Sequence, residues 1–285
     1  MNETIRQLTG DDLQALQDMD TGIDDDYVIR VFDRISTGPN RLFGLFHDGR
    51  LASIGGYTIF AGSYAMLGRM RSDVRFRGQS LSSKLMAHVR DAALDHPGIR
   101  FVGANTQEFN LPAQRVLEKI GLSRQAELFS AIAMNVETFE SDAAPWRKIE
   151  SADEKMRWLE SVYIRSGRVF PFECYYPFPA SPDLFSGQAL EQWDFYENPD
   201  GDRIVITKHD VKKYDYLHTL YPWEDLFEQP GLWETLHAPL EKIRLDSEEG
   251  AFVWMDLTRK QAGKLPEGHP FELPSPWFLY GTDIH

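Results

Sequence analysis

The run Arg77-Gly78-Gln79-Ser80-Leu81-Ser82-Ser83-Lys84-Leu85 joins the end of a strand pattern to the start of an amphipathic helix. Its small residues let the backbone approach a ligand closely. The first turn of the helix leaves N–H groups unpaired, with the positive end of the helix dipole behind them. Together these features suit a pyrophosphate. Arg71, Arg75 and Arg77 concentrate positive charge in the same stretch. A capped helix behind a solvated basic turn would show the same residues, so the pattern alone leaves both readings open.

The elements around this run have a recognisable order. Thr4–Leu8 alternates as a short strand, and Leu13, Leu16 and Met19 share a helical face. Residues 41–74 form an antiparallel meander, with Asp48-Gly49 as its first hairpin turn. Leu81, Leu85, Val89 and Ala93 then repeat every four residues, as on a helix ending near His96-Pro97-Gly98. Ile99–Ala104 reads as a buried strand, and residues 111–120 as a helix stopped by Gly121. Phe129–Val136 closes the pattern as a strand.

Two signatures in this half resemble those of the GNAT acyltransferase superfamily. Arg77-Gly78-Gln79-Ser80-Leu81-Ser82 is similar to its acyl-CoA-binding motif. Asn110-Leu111-Pro112-Ala113-Gln114-Arg115-Val116-Leu117-Glu118-Lys119-Ile120-Gly121-Leu122 is similar to its second motif, one strand later. The resemblance covers about residues 1–138. It implies that the backbone of Arg77, Gly78, Gln79, Ser80, Leu81 and Ser82 holds the CoA pyrophosphate. It also implies that Met70, Arg71 and Ser72 pair with the pantetheine arm and that Asn110 contacts the cofactor. Two glycines of the first motif are serines here, Ser80 and Ser82. Leu117 replaces the tyrosine that in the family often protonates the departing thiolate. The implied reaction is transfer of acetyl from acetyl-CoA to a primary amine by direct attack. Such attack needs a group that takes the amine's proton and an N–H facing the oxyanion. Tyr64, Asp73, Gln107 and Glu108 are the polar groups expected near the mouth. Glu108 is the leading carboxylate and Tyr64 a second catalytic candidate, whereas Asp73 is expected to pair with a neighbouring arginine. A rival reading is an inactive CoA-binding or protein-interaction module, on the evidence of Ser80, Ser82 and Leu117.

The second half repeats the element order. Arg147–Glu154 echoes residues 6–12, and Trp193–Glu197, a turn at Asn198-Pro199-Asp200-Gly201, Arg203–His209 and Tyr214–Tyr221 echo the meander. A helix marked by Leu232, Leu236, Leu240 and Ile243 and a strand Ala251–Leu257 follow. Where the first motif would recur the chain reads Trp223-Glu224-Asp225-Leu226-Phe227-Glu228, which repels phosphate. The expected fold is α+β, as two tandem GNAT-like domains, each a mixed, mostly antiparallel sheet flanked by helices. Residues 1–140 would carry acyl-CoA, and residues 144–285 would be a degenerate copy after a linker at Ser141–Pro145. A convergent α+β order would produce the same pattern. Phe170–Pro179 reads either as a wall of the acceptor site or as packing between domains.

Composition bounds the rest. A chain of 285 residues with 42% hydrophobic content is long enough for two cores. Net charge is −14, and residues 1–140 hold 15 basic and 18 acidic side chains against 15 and 26 afterwards. That balance argues against nucleic acid and anionic membranes and makes a cationic amine, free or on a peptide, the more attractive acceptor. The single cysteine, Cys174, excludes an intrachain disulfide and a cysteine-rich zinc site. Cys174 is expected to be a small packing residue. His209 and His218 show no metal-ligand spacing, and His47 is expected in solvent, so no metal is expected. A polar Met1–Asp11 and the lack of any long apolar run point to a cytoplasmic protein.

Overall fold

The computed structural model describes residues 2–282. The ends of the two expected domains, Met1 and residues 283–285, lie outside the described residues. The chain folds as two compact units, residues 1–125 with 279–285, and residues 126–278.

The elements run in the order β1 (Glu3–Gln7), α1 (Leu13–Gln17), α2 (Tyr27–Arg30), α3 (Phe32–Ile35), β2 (Asn40–His47), β3 (Arg50–Phe60), β4 (Tyr64–Ser72), α4 (Leu81–Leu94), β5 (Phe101–Gln107) and α5 (Leu111–Lys119). β6 (Ser123–Ala133) passes from the first unit to the second. There follow β7 (Arg147–Ile149), α6 (Ala152–Leu159), β8 (Val169–Glu173), β9 (Tyr176–Pro179), α7 (Gly187–Glu191), β10 (Asp194–Glu197), β11 (Ile204–Val211), β12 (Asp215–Leu220), α8 (Leu232–Asp246), β13 (Ala251–Leu257), α9 (Arg259–Ala262) and β14 (Trp277–Gly281).

In the first unit β1, β2, β3 and β4 pair antiparallel in sequence order, and β5 joins β4 in parallel. Leu8, just after β1, Leu42 of β2 and Leu51 and Ile54 of β3 pack in one cluster with Leu16, Val28, Phe32 and Ile35. α4 lies against β3 and β4 and buries Leu81, Leu85, Val89 and Ala93, the four-residue repeat read in the sequence, together with Met86. It comes so close to β3 that a Cβ on Gly55 would stand 2.4 Å from the Met86 sulfur. The strand next to β5 comes from the far end of the chain. Leu279–Gly281 of β14 belong to this unit, and the Thr282 amide donates to the Val102 carbonyl at 3.0 Å.

The second unit uses the same plan. β7, β10, β11 and β12 pair antiparallel, and β13 joins β12 in parallel. α8 sits between β12 and β13 in sequence, as α4 sits between β4 and β5. The place beside β13 is taken by Phe129–Ala133 of β6, antiparallel. Both lobes are therefore mixed, mostly antiparallel sheets with one parallel pair and a long helix in the parallel crossover. Ser141–Pro145 lies inside the second compact unit. β8 and β9 form a separate hairpin from Phe170–Pro179, and Phe170 stacks edge-on against Tyr163 and Phe185 within the same unit.

Candidate functional site

The first unit opens a wedge in its sheet. β4 and β5 pair only from Tyr64–Leu67 against Phe101–Ala104. β4 then continues to Ser72 and β5 to Gln107 without pairing to each other. A bulge prepares this separation. Ile54 faces Arg71 and Gly56 faces Gly68, so Arg69 and Met70 together oppose Gly55. Arg69 takes a left-handed φ of 59°, and its guanidinium donates to Asn40 at 2.9 Å and Thr58 at 2.7 Å. A bulge sharpens strand twist and re-aims the backbone beyond it. The half-buried segment Met70–Ser72 therefore lines the wedge with backbone freed from its β5 side.

The Gly78–Ser82 turn stands at the end of that segment. Gly78 has φ +82°, and a Cβ built there would meet no atom within 4 Å. Ser80 also sits left-handed, at φ 59°, and is the N-cap of α4 without a side-chain cap bond. Glycine accommodates that conformation more readily than serine does. The Ser72 and Ser82 hydroxyls hydrogen-bond, which ties the strand end to the first helical turn. The amides of Leu81, Ser82 and Ser83 are first-turn donors that no helical carbonyl can reach. Lys119, at the end of α5, donates to Ser80 Oγ at 3.3 Å and adds a cation beside the turn. Lys119 was not singled out from the sequence. Its signal was its place at the C-terminal end of a helix that the topology returns to the start of α4.

Two of the three arginines expected to supply positive charge are neutralised. Arg71 forms a bidentate pair with Asp26, at 2.6 and 2.9 Å, and its guanidinium lies 5.5 Å from the Tyr27 ring. Burial pushes the Asp26 carboxyl up, but Arg71 and the Val28 amide outweigh it and hold the group below the usual carboxylate range. Arg75 pairs with Asp73, whose side chain is fully buried, and holds that carboxyl low as well. The expected Asp73–arginine pair is thus present, and it anchors the loop rather than the mouth. Arg77 donates to the Thr21 carbonyl at 3.0 Å.

The remaining candidates separate. Glu108 is exposed in the turn after β5, and its carbonyl accepts from Gln114 at 2.6 Å. Asn110 is exposed and caps α5, accepting the Ala113 amide at 3.3 Å. Tyr64, expected near the mouth, is instead a core residue, 2% exposed, at the paired end of β4. Eight residues of strand put it about 26 Å from Ser72. The turn, Met70–Ser72 and Lys119 form one cluster, and Tyr64 is not part of it. Leu117 is buried in the α5 face. On the opposite strand Tyr280 points its hydroxyl at Glu118, 3.4 Å away, and burial raises its phenol.

The equivalent place in the second unit is closed. β12 and β13 pair through Thr219 and Met255, nearly to the end of both strands. Gly231 caps α8 with φ +79°, but a Cβ there would lie 2.3 Å from the Ala144 carbonyl. The Gly231 amide donates to Ser141 Oγ, and Glu234 accepts the Ser141 and Ala143 amides. Trp146 then locks the segment to Thr235 and Pro230, each at 2.8 Å. Asp225 is held by Arg203 and Tyr221. Elsewhere in this unit Cys174 is fully buried, and burial beside Asp210 pushes its thiol up. His47, expected in solvent, is buried because β1 covers β2; its ring faces Phe76 and lies 3.6 Å from Glu3. No helix among the described residues is long and apolar enough to cross a membrane.

Comparison with known proteins agrees with this geometry. Residues 5–122 match the family described as "Acetyltransferase (GNAT) family". No curated protein matches the sequence. Among solved structures, a GCN5-related N-acetyltransferase from Sphaerobacter thermophilus superposes with a TM-score of 0.53 at 13% identity, over 98% of this chain and 95% of that one. Proteins assigned as acetyltransferases from Thermoplasma acidophilum and Pyrococcus horikoshii each give a TM-score of 0.51. The first is 17% identical, over 96% of this chain and 89% of that one; the second is 9% identical, over 99% and 90%. At these identities the likeness is one of fold, and it spans both lobes. The chain is a two-lobed protein with the fold of these GNAT acetyltransferases, and its residues 5–122 match the model of the GNAT acetyltransferase family.

Proposed function

We propose that the first lobe binds acetyl-CoA in the β4–β5 wedge and transfers its acetyl group to a primary amine. The observation that carries this reading is the coincidence of the parting of β4 from β5 with the open left-handed turn before α4. The amides of Gly78 to Ser82 would hold the pyrophosphate, with Lys119 and Arg77 offsetting its charge. Met70, Arg71 and Ser72 would present backbone to the pantetheine, and Asn110 would approach the cofactor from the cap of α5. The neutral amine attacks the thioester carbonyl carbon, the C–S bond breaks, and CoA leaves as a thiolate. The amine's proton passes to a base, and Glu108, exposed after β5, is the carboxylate we assign to that task. The net charge of −14 favours a cationic amine acceptor. The second lobe keeps the fold without a cofactor site, since residues 141–146 occupy the start of α8.

A second reading, a catalytically silent CoA-binding module, draws on Leu117, which cannot protonate a thiolate. Calorimetry with acetyl-CoA and thioester turnover against a panel of amines separate the two. Binding with turnover is the expected result, and Glu108→Gln should lower kcat about 100-fold, the scale of general-base catalysis, with little change in acetyl-CoA affinity. Binding without turnover on any amine supports the silent module; no binding at millimolar acetyl-CoA excludes both.

A further inference from the structure

Three strands of the second lobe bring together groups that lie far apart in sequence. Cys174 follows β8, Asp210 lies on β11 and His218 on β12. The Cys174 sulfur, one Asp210 carboxylate oxygen and one His218 ring nitrogen all lie within 4.8 Å of one another. All three residues are buried, with Cys174 and His218 fully so. Tyr216 and Trp254 pack around Cys174.

The histidine is the informative member. Its Nε2 meets Asp256 at 2.8 Å, and Asp256 also accepts the Trp254 indole N–H at 3.1 Å. A carboxylate can only accept, so Nε2 carries the proton and Nδ1 is left with a lone pair. That Nδ1 is buried and has no hydrogen-bond partner. A buried acceptor with no donor is destabilising, so the arrangement asks for an electrophile. A histidine whose second nitrogen is held by a carboxylate is the usual outer support of a metal ligand. Asp210 is already arranged: one oxygen accepts the Cys174 amide at 2.7 Å and the other lies 3.3 Å from Lys212. Its remaining lone pairs leave room for one more partner.

We propose that Cys174, Asp210 and His218 bind one divalent transition ion, Zn2+ in the first place, within the second lobe. Thiolate, imidazole and carboxylate are the donors that zinc takes, and with three protein ligands the fourth tetrahedral position would go to a water molecule. On binding, the Cys174 S–H bond breaks, its proton leaves to solvent and a Zn–S bond forms. The thiolate and Asp210 carboxylate together balance the ion's two charges. The absence of a short ligand spacing explains why such a site is invisible in the sequence: its ligands are neighbours only through the pairing of β11 with β12 and the approach of the β8–β9 hairpin.

The test uses the full chain produced in medium supplied with Co2+ in place of Zn2+, alongside a zinc-grown sample for metal analysis. The expected results are close to one zinc per chain, and a cobalt protein showing a thiolate-to-metal charge-transfer band in the near ultraviolet. Cys174→Ala should abolish the band and weaken Zn2+ binding about 100-fold or more, and Asp256→Asn should weaken it about 10- to 100-fold. If Cys174→Ala fails to fold, the spectrum of the unaltered protein still decides. Folded chain without stoichiometric metal, or metal bound with no thiolate band, overturns the proposal.

Discussion

Asp26 and Arg71 show how a single pair can support the wedge without taking part in chemistry. The Asp26 side chain is 4% exposed and that of Arg71 16%, so removing either leaves a charge stranded in the protein. Arg71→Met should destabilise the fold by about 3 kcal/mol, on the scale of a broken buried pair, measured by denaturant unfolding at neutral pH. Acid should act through the same groups. Asp26 and Asp73 have folded pKa values below the ordinary value of about 3.9. Their contribution is therefore complete above that value and is lost as pH falls through the lower folded values. Thermal melts from pH 7 downward should show Tm dropping steeply only below about pH 4. In Arg71→Met the drop should be shallower, because Asp26 then has no cation holding its proton off. An unchanged acid profile in that variant would show that the pair contributes nothing to the linkage.

At the scale of elements, local patterns were readable and long-range pairings were not. The start of α4 was legible because a glycine, small residues and a four-residue apolar repeat lie within one stretch of chain. The repeat of strand and helix order was legible for the same reason. Asp26 was not, since it meets Arg71 across 45 residues. Tyr64 was misplaced because strand alternation reports which face a residue takes, not how far along the strand the sheet opens. The return of β14 to β5 left no sequence signal at all. Yet it carries real weight, for the Thr282 amide and hydroxyl both bond to the Val102 backbone. Truncation after Phe278 should expose the edge of β5 and lower the Tm of the first lobe by several degrees, the scale of about 1–3 kcal/mol. Differential scanning calorimetry on the truncated and full chains checks it, and the Gly121–Gln125 region should exchange its amide hydrogens faster.

For the molecule as a whole, the two lobes share a fold but differ in the space before the crossover helix. In one, the space before the crossover helix is open; in the other, Ser141 to Trp146 fills it and Glu234 fastens the filling in place. Titration should therefore find one acetyl-CoA per chain. Gly78→Val, which strains the left-handed turn, should abolish that single event. A stoichiometry of two, or binding that survives Gly78→Val, would place the cofactor elsewhere than in the first lobe.

The strand borrowed from the end of the chain also orders events during synthesis. When residue 125 leaves the ribosome the first sheet still lacks its neighbour to β5, the part of β14 from Leu279 onward. At about 5–20 residues per second the gap is roughly 8–30 s. Through that interval the nascent first lobe holds an unpaired, apolar strand edge while its sister lobe is being made. A nascent chain stalled before Leu279 is thus the state most exposed to chaperones and to aggregation.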